Sequence, residues 1–255
     1  MAGLNLIQSY LSESEDSGDD NGLIFTLYHS RLPIPDSILA LEGVKHDDYV
    51  TDDPSLHDGR VRSFKHERGN WATLVYIEYI GNDAIHSWLL EVTNRLKVEE
   101  EDVRSFSKFH LSLSRSIVLK YHWIDSFVNG IRNLCKNTEK LSVEFRELKV
   151  YCNEERTRTF IGIRCEDVTK RLQELVSNIN NILAEYRLPP FYEEASFHIS
   201  VMWCLGDAEK TLIARLPSLN ESLTRIMAED LSHSFIDISN INCKIGNKMY
   251  TFSLK

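Results

Sequence analysis

From residue 71 onward the hydrophobic positions change between a period of two and a period of about 3.6, and the changes mark out alternating elements. Trp71 to Tyr79 (WATLVYIEY) reads as a strand, and Asp83 to Val98 as an amphipathic helix. A second strand spans Phe109 to Ser114, followed by a helix carrying Ile124, Phe127, Val128, Ile131 and Leu134 on one stripe. Val143 to Tyr151 and Thr157 to Arg164 form a hairpin whose polar tip is Asn153 to Arg156. The clearest helix runs from Val168 to Tyr186, with Val168, Leu172, Leu175, Val176, Ile179, Ile182, Leu183 and Tyr186 aligned, and Pro189-Pro190 stops it. A strand at Ser196 to Trp203, a helix from Asp207 to Met227 and short strands within Ser234 to Leu254 complete the pattern. Strands interleaved with helices in this way predict an α+β fold in which helices cover largely antiparallel sheets.

The first 57 residues break the pattern. They include Ser12-Glu-Ser-Glu-Asp-Ser-Gly-Asp-Asp20 and too little apolar surface to offset chain entropy, so residues 1–57 are expected to be an acidic, largely disordered tail before a single domain at 58–255. Charge follows the same division. The net charge is -9, but twelve Asp/Glu and two Lys/Arg fall in residues 1–58, leaving 27 basic against 26 acidic positions afterwards. The acidic balance therefore belongs to the tail and does not exclude a nucleic-acid partner for the domain, which carries a local basic cluster at Arg60, Arg62, Lys65 and Arg68. No apolar run is long enough to cross a bilayer and the polar start is unlike a secretory signal, so an intracellular protein is expected. The five cysteines are scattered, without a C-x-x-C pair or zinc spacing, and read as small buried apolar residues.

One feature of the domain carries chemistry. The tetrad Phe-His-aliphatic-Ser occurs as Phe109-His-Leu-Ser112 and again as Phe197-His-Ile-Ser200, with the histidines 88 positions apart and each copy on a predicted strand flanked by helices. Two related lobes contributing equivalent strands to one cleft would give this repetition. Residues two apart on a strand share a face, so His110, Ser112 and Ser114 form one polar comb and Ser196, His198 and Ser200 another, with Phe109, Leu111 and Phe197, Ile199 turned to the core.

Two imidazoles suit a reaction that takes a proton from one oxygen and gives one to another, because histidine titrates near neutral pH. RNA cleavage through the 2′-hydroxyl is such a reaction: one neutral ring accepts the 2′-OH proton, the other as imidazolium protonates the departing 5′-oxygen, and a 2′,3′-cyclic phosphate results. Serine hydroxyls beside each ring can donate to the non-bridging phosphate oxygens. No metal or other cofactor is required. His86, His122, His29, His46 and His57 are given no role.

The stretches His110-Leu-Ser-Leu113 and His198-Ile-Ser-Val201 resemble the paired His-hydrophobic-Ser/Thr-hydrophobic signatures of the 2H phosphoesterase superfamily. Gly59 to Thr73, Thr157-Arg-Thr-Phe-Ile-Gly162, Phe191-Tyr192 and Lys244-Ile-Gly-Asn-Lys248 are similar to segments of the U6 small nuclear RNA phosphodiesterase family, a resemblance running through residues 59–255. It implies a two-lobed, pseudo-symmetric fold with the histidines facing across a groove. It also implies a nuclear, monomeric 3′-to-5′ exoribonuclease that trims the oligouridine end of U6 RNA, a component of the splicing machinery, and leaves a 2′,3′-cyclic phosphate or a 3′-phosphate. On this resemblance Tyr192, six residues before the second histidine, stacks on a terminal base, Ser196 touches the nucleotide, and the turn residue that contacts substrate in relatives, usually Gln, is here Glu154, whose carboxylate phosphates would repel. Another 2H enzyme acting on small cyclic nucleotides would use the same two histidines and two serines, and a non-catalytic RNA-binding module would keep the groove without needing them.

Overall fold

A computed structural model describes Ser55, Gly59, Glu67 and residues 69–98, 102–193 and 196–255. The expected disordered tail apart from Ser55, the basic cluster at Arg60, Arg62, Lys65 and Arg68, and most of the Gly59 to Thr73 segment lie outside the described residues. Ten strands and four α-helices are present among those that are described: β1 Asn70–Tyr79, α1 Asp83–Val98, β2 Arg104–Ser105, β3 Phe109–Ser112, β4 Ile117–Lys120, α2 Ile124–Asn137, β5 Leu141–Cys152, β6 Arg158–Glu166, α3 Arg171–Glu185, β7 His198–Leu205, α4 Glu209–Glu229, β8 Phe235–Ile238, β9 Asn240–Ile245 and β10 Lys248–Ser253. The α+β reading holds.

All strand pairings are antiparallel, and the main path runs β10-β9-β1-β3-β7-β6-β5-β8, with β4 alongside β1 and β2 alongside β7. The path divides naturally into halves. β10, β9, β1 and β3 form one lobe, β7, β6, β5 and β8 the other, and the seam between β3 and β7 carries one registered pair, Leu111 opposite Ile199. Each lobe thus contributes one His-x-Ser strand to the seam.

Helices cover the apolar face of the sheet. α1 buries Ile85, Trp88, Leu89, Val92 and Leu96, an i, i+3, i+4, i+7, i+11 stripe, and packs on β2, β7 and α4. α2 turns Phe127, Val128, Ile131 and Cys135 inward against β9, β10 and α3. α3 buries Leu172, Leu175, Val176, Ile179 and Leu183, and α4 lies on β5. Beneath them Val75, Ile77, Phe109, Leu111, Ile163, Phe197 and Ile199 complete a continuous core. At about 1.5–3 kcal/mol per fully buried large aliphatic or aromatic side chain, this burial holds the two strands of the seam in place.

Three local expectations are corrected. Val168 is not on the buried stripe of α3 but 71% exposed, because the Asp167 carboxylate accepts from the backbone N–H groups of Thr169 and Leu172 and the helix begins only at Arg171. The strand of the first motif ends at Ser112, and Ser114 leaves the polar comb. It is buried, its hydroxyl accepts from the Val75 N–H at 3.0 Å and donates to the Arg115 carbonyl at 2.9 Å, while Leu113 and Ser114 both donate to the Val75 carbonyl. This bulge bends the chain between β3 and β4, so alternation does not carry through it. Ser196 lies before β7 rather than on it.

Candidate active site

The register fixes which side chains meet. β3 and β7 run antiparallel with Leu111 opposite Ile199, so one step either way places His110 across from Ser200 and Ser112 across from His198. Each histidine therefore has the serine of the other motif as its direct neighbour, and the two histidines stand on the diagonal. Diagonal positions of an antiparallel pair are about 7–8 Å apart. That interval accommodates one phosphoryl group with a hydrogen bond of roughly 2.8 Å at each side. The same rows extend across neighbouring strands: Tyr76 is registered with Ser112 and Arg164 with His198, Glu78 with His110 and Gly162 with Ser200. All four residues of the paired motifs are half-buried, on the face opposite the helices.

His198 is tethered on two sides. Its Nδ1–H donates to the Ser196 carbonyl at 2.7 Å, so Nε2 is the ring nitrogen that can take up or release a proton. Its ring stacks on Tyr151 of β5 at 3.8 Å between centroids and 16° between planes, and the Tyr151 hydroxyl shares a 3.0 Å hydrogen bond with the Ser196 hydroxyl. The Ser196 backbone thus holds the orientation of the imidazole. His110 meets the edge of Tyr76 at 5.5 Å and 70°. Each histidine thus meets one tyrosine of its own lobe, Tyr76 edge-on from β1 and Tyr151 stacked from β5, and neither was singled out from sequence.

Gly162 is the position that permits this stacking. A Cβ there would lie 3.1 Å from His198 Cδ2, 3.1 Å from Tyr151 Cε2 and 3.2 Å from the Ile199 carbonyl oxygen. Gly162 ends the Thr157–Gly162 segment noted in the sequence. The Lys244–Lys248 segment has a different task, the β9–β10 turn, where Gly246 at φ +55° lies directly against Trp71.

The electrostatics suit proton exchange. Burial pushes both imidazoles below the ordinary histidine pKa of 6.5, and the charge of His198 lowers His110 further. The Ser196 carbonyl opposes this at His198 by stabilising its imidazolium. The free pair accordingly resists double protonation, and an anion between the rings favours charging one of them. On the far side of His198, Arg164 donates to Glu147 from Nε at 2.7 Å and holds that carboxyl below its usual range. A cavity of about 400 Å³ lined by Lys149, Arg164, Gln173, Ser196 and Phe197 opens there.

The remaining expected residues, Tyr192 and Glu154, share a partner, Arg115. Tyr192 is half exposed, with Phe191 edge-on at 5.4 Å. Glu154, at the tip of the β5–β6 hairpin, is ion-paired with Arg115, whose guanidinium also lies 4.0 Å from the Tyr192 ring centroid. The carboxylate that phosphates would repel is therefore neutralised by a cation that the sequence reading passed over. Among the described residues, the group spaced to hold a metal is Cys152, Asp207 and Glu209, and Arg156 bridges both of its carboxylates. The cysteines are free thiols, four of them buried.

Two half-sheets meet along paired His-x-Ser strands, with both imidazoles on the open face. Comparison with known proteins gives the particular family. The family model described as "HVSL: Uncharacterised conserved protein" matches residues 32–253. The chain is 36% identical over 254 residues to U6 snRNA phosphodiesterase 1 of Drosophila melanogaster, covering 97% of this chain and 96% of that protein. It is 33% identical over 234 residues to the Homo sapiens protein of that name, covering 90% of this chain and 86% of the other. The solved structure of Kluyveromyces marxianus Usb1 superposes with a TM-score of 0.53 at 16% identity, covering 72% of this chain and 98% of that one, a likeness of fold. The chain belongs to the U6 snRNA phosphodiesterase family.

Proposed function

We propose that this protein is a metal-independent 3′-to-5′ exoribonuclease that trims the uridine-rich 3′ end of U6 snRNA. The observation that carries the reading is the diagonal placement of His110 and His198 across the β3–β7 seam, each beside the serine of the opposite motif. A scissile phosphate between the rings meets a proton acceptor on one side and a proton donor on the other. The ribose 2′-oxygen, deprotonated by the neutral imidazole, attacks phosphorus. The P–O5′ bond breaks as the imidazolium protonates the leaving oxygen, and the shortened RNA ends in a 2′,3′-cyclic phosphate. Ser112 and Ser200 donate to the non-bridging oxygens as charge grows on them. The protons are supplied and removed by the two rings, so the chemistry calls for no metal ion.

Tyr192 offers a flat, half-exposed ring for the terminal base, a contact worth about 1–3 kcal/mol. The names of the relatives support U6 snRNA as substrate. The Kluyveromyces marxianus protein has also been solved with uridine monophosphate, which supports a uridine nucleotide as the kind of ligand bound. The enzyme works as a monomer in the nucleus. An oligouridine labelled at either end, digested in EDTA, tests the proposal: stepwise loss from the 3′ end with a cyclic phosphate on the shortened product is expected. Abolition by EDTA, loss from the 5′ end, or activity confined to small cyclic nucleotides would refute it.

A further inference from the structure

Three segments converge on one cation, Arg115. Arg115 lies three residues past Ser112, on the chain leaving the first motif. Its guanidinium sits over the Tyr192 ring at 4.0 Å from the centroid, the separation of a stacked partner, and pairs with Glu154 from the tip of the β5–β6 hairpin. The hold of Glu154 on it is light. The Arg115 and Glu154 side chains are 32% and 71% exposed, and an ion pair in such a setting contributes about 0–1 kcal/mol. A phosphate is a stronger partner for a planar guanidinium, since it can accept two parallel N–H bonds.

A nucleotide stacked on Tyr192 brings its phosphate to the ring that Arg115 already touches. Glu154 occupies the anion's place beside that cation. We infer that Arg115 is a substrate-binding residue that takes a phosphate of the RNA held on Tyr192, and that Glu154 is its resting partner, displaced as the phosphate arrives. The inference rests on the RNA phosphodiesterase reading above and deepens it. At rest the pair keeps an otherwise repulsive carboxylate neutral; once Arg115 changes partner, Glu154 faces the RNA unpaired and weakens its hold. The two residues must therefore act with opposite sign on affinity, whereas a structural brace would make both losses harmful alike.

The test is fluorescence anisotropy of the full chain with a 5′-labelled oligouridine whose penultimate ribose is 2′-O-methylated, so that the nucleophile is blocked. Wild type, Arg115→Ala, Arg115→Lys and Glu154→Gln are compared over a range of salt, beside cleavage of the unmodified oligomer by wild type. Arg115→Ala should raise Kd about tenfold or more. It should also reduce the slope of log Kobs against log salt by about 0.7, the loss of one contact to a single strand. Arg115→Lys should keep that slope, and Glu154→Gln should lower Kd about threefold. An unchanged salt slope in Arg115→Ala, or a Glu154→Gln variant that binds more weakly, overturns the inference. Wild-type protein that neither binds nor cleaves oligouridine overturns the functional reading together with it, whereas normal wild-type binding and cleavage with an unchanged slope overturns the role of Arg115 alone.

Discussion

Replacing Gly162 by alanine should damage catalysis without replacing a catalytic group. Gly162 faces Ser200 across β6 and β7, and its missing side chain leaves room for Tyr151 to lie flat on His198 at 3.8 Å. The added methyl would stand 3.1 Å from a carbon of each ring and 3.2 Å from the Ile199 carbonyl oxygen. Comfortable carbon contacts begin near 3.5 Å, so each approach is short by roughly half an ångström or less. The Ile199 oxygen is held in the sheet and cannot yield, so relief must come from the rings. Moving the imidazole strains its 2.7 Å hydrogen bond to Ser196 and shifts Nε2 relative to the phosphate. Overpacking of this kind costs about 1–3 kcal/mol of stability. A misplacement of 1 Å can cost about a hundredfold in rate, and a few tenths should cost about tenfold. Steady-state kinetics on an oligouridine, with thermal unfolding alongside, should show kcat reduced about tenfold, KM within about twofold and a folded protein of lower Tm. A Gly162→Ala enzyme with wild-type kcat would refute the role assigned to the Tyr151–His198 stack.

Other expectations follow from the same geometry. His110→Ala and His198→Ala should each lower kcat about a hundredfold or more in single-turnover assays while RNA binding by anisotropy stays largely intact, and unchanged turnover in either would remove the assignment. Burial depresses both imidazoles below 6.5, and the reaction needs one charged and one neutral ring, so kcat/KM should peak on the acid side of pH 6.5 and fall through neutrality; an alkaline optimum contradicts this. The same depression makes the unfolded chain bind protons at higher pH than the folded one. The stability these rings contribute is therefore complete above pH 6.5 and lost as pH falls through their folded values, so denaturant midpoints of His110→Ala should decline less steeply in acid than those of wild type. Tyr192→Ala should weaken binding of oligouridine by about 1–3 kcal/mol with little effect on an RNA-independent property such as Tm. Asp167→Ala removes the acceptor for the Thr169 and Leu172 N–H groups at the start of α3 and should cost about 0.5–2 kcal/mol in denaturant unfolding, with kcat unchanged.

Much of this was legible in the sequence because periodicity reports which face is buried. The stripe from Leu172 to Leu183 and the repeated Phe-His-aliphatic-Ser tetrad state the core face of α3 and the open face of the two motif strands directly. Alternation fails where a bulge intervenes, and Ser114 shows how: it has the spacing of the comb but closes the chain onto Val75. Val168 has helical spacing as well, yet Asp167 captures the helix start three residues later. Contacts between distant segments leave no local trace, so Tyr151 against His198 and Arg115 against Glu154 and Tyr192 emerged only from the fold. A glycine inside an otherwise β-favouring run, Arg158 to Glu166, was the available signal for the first of these.

The claim on which the mechanism turns is that His110 and His198 flank a single phosphate. Proton NMR titration of the imidazole Cε1–H signals, with and without saturating uridine 3′-monophosphate, addresses it directly. The diagonal geometry predicts that one equivalent of nucleotide shifts both histidines and raises the pKa of each, with neither ring responding alone. A response confined to one histidine, or to neither while the nucleotide binds elsewhere, would contradict it.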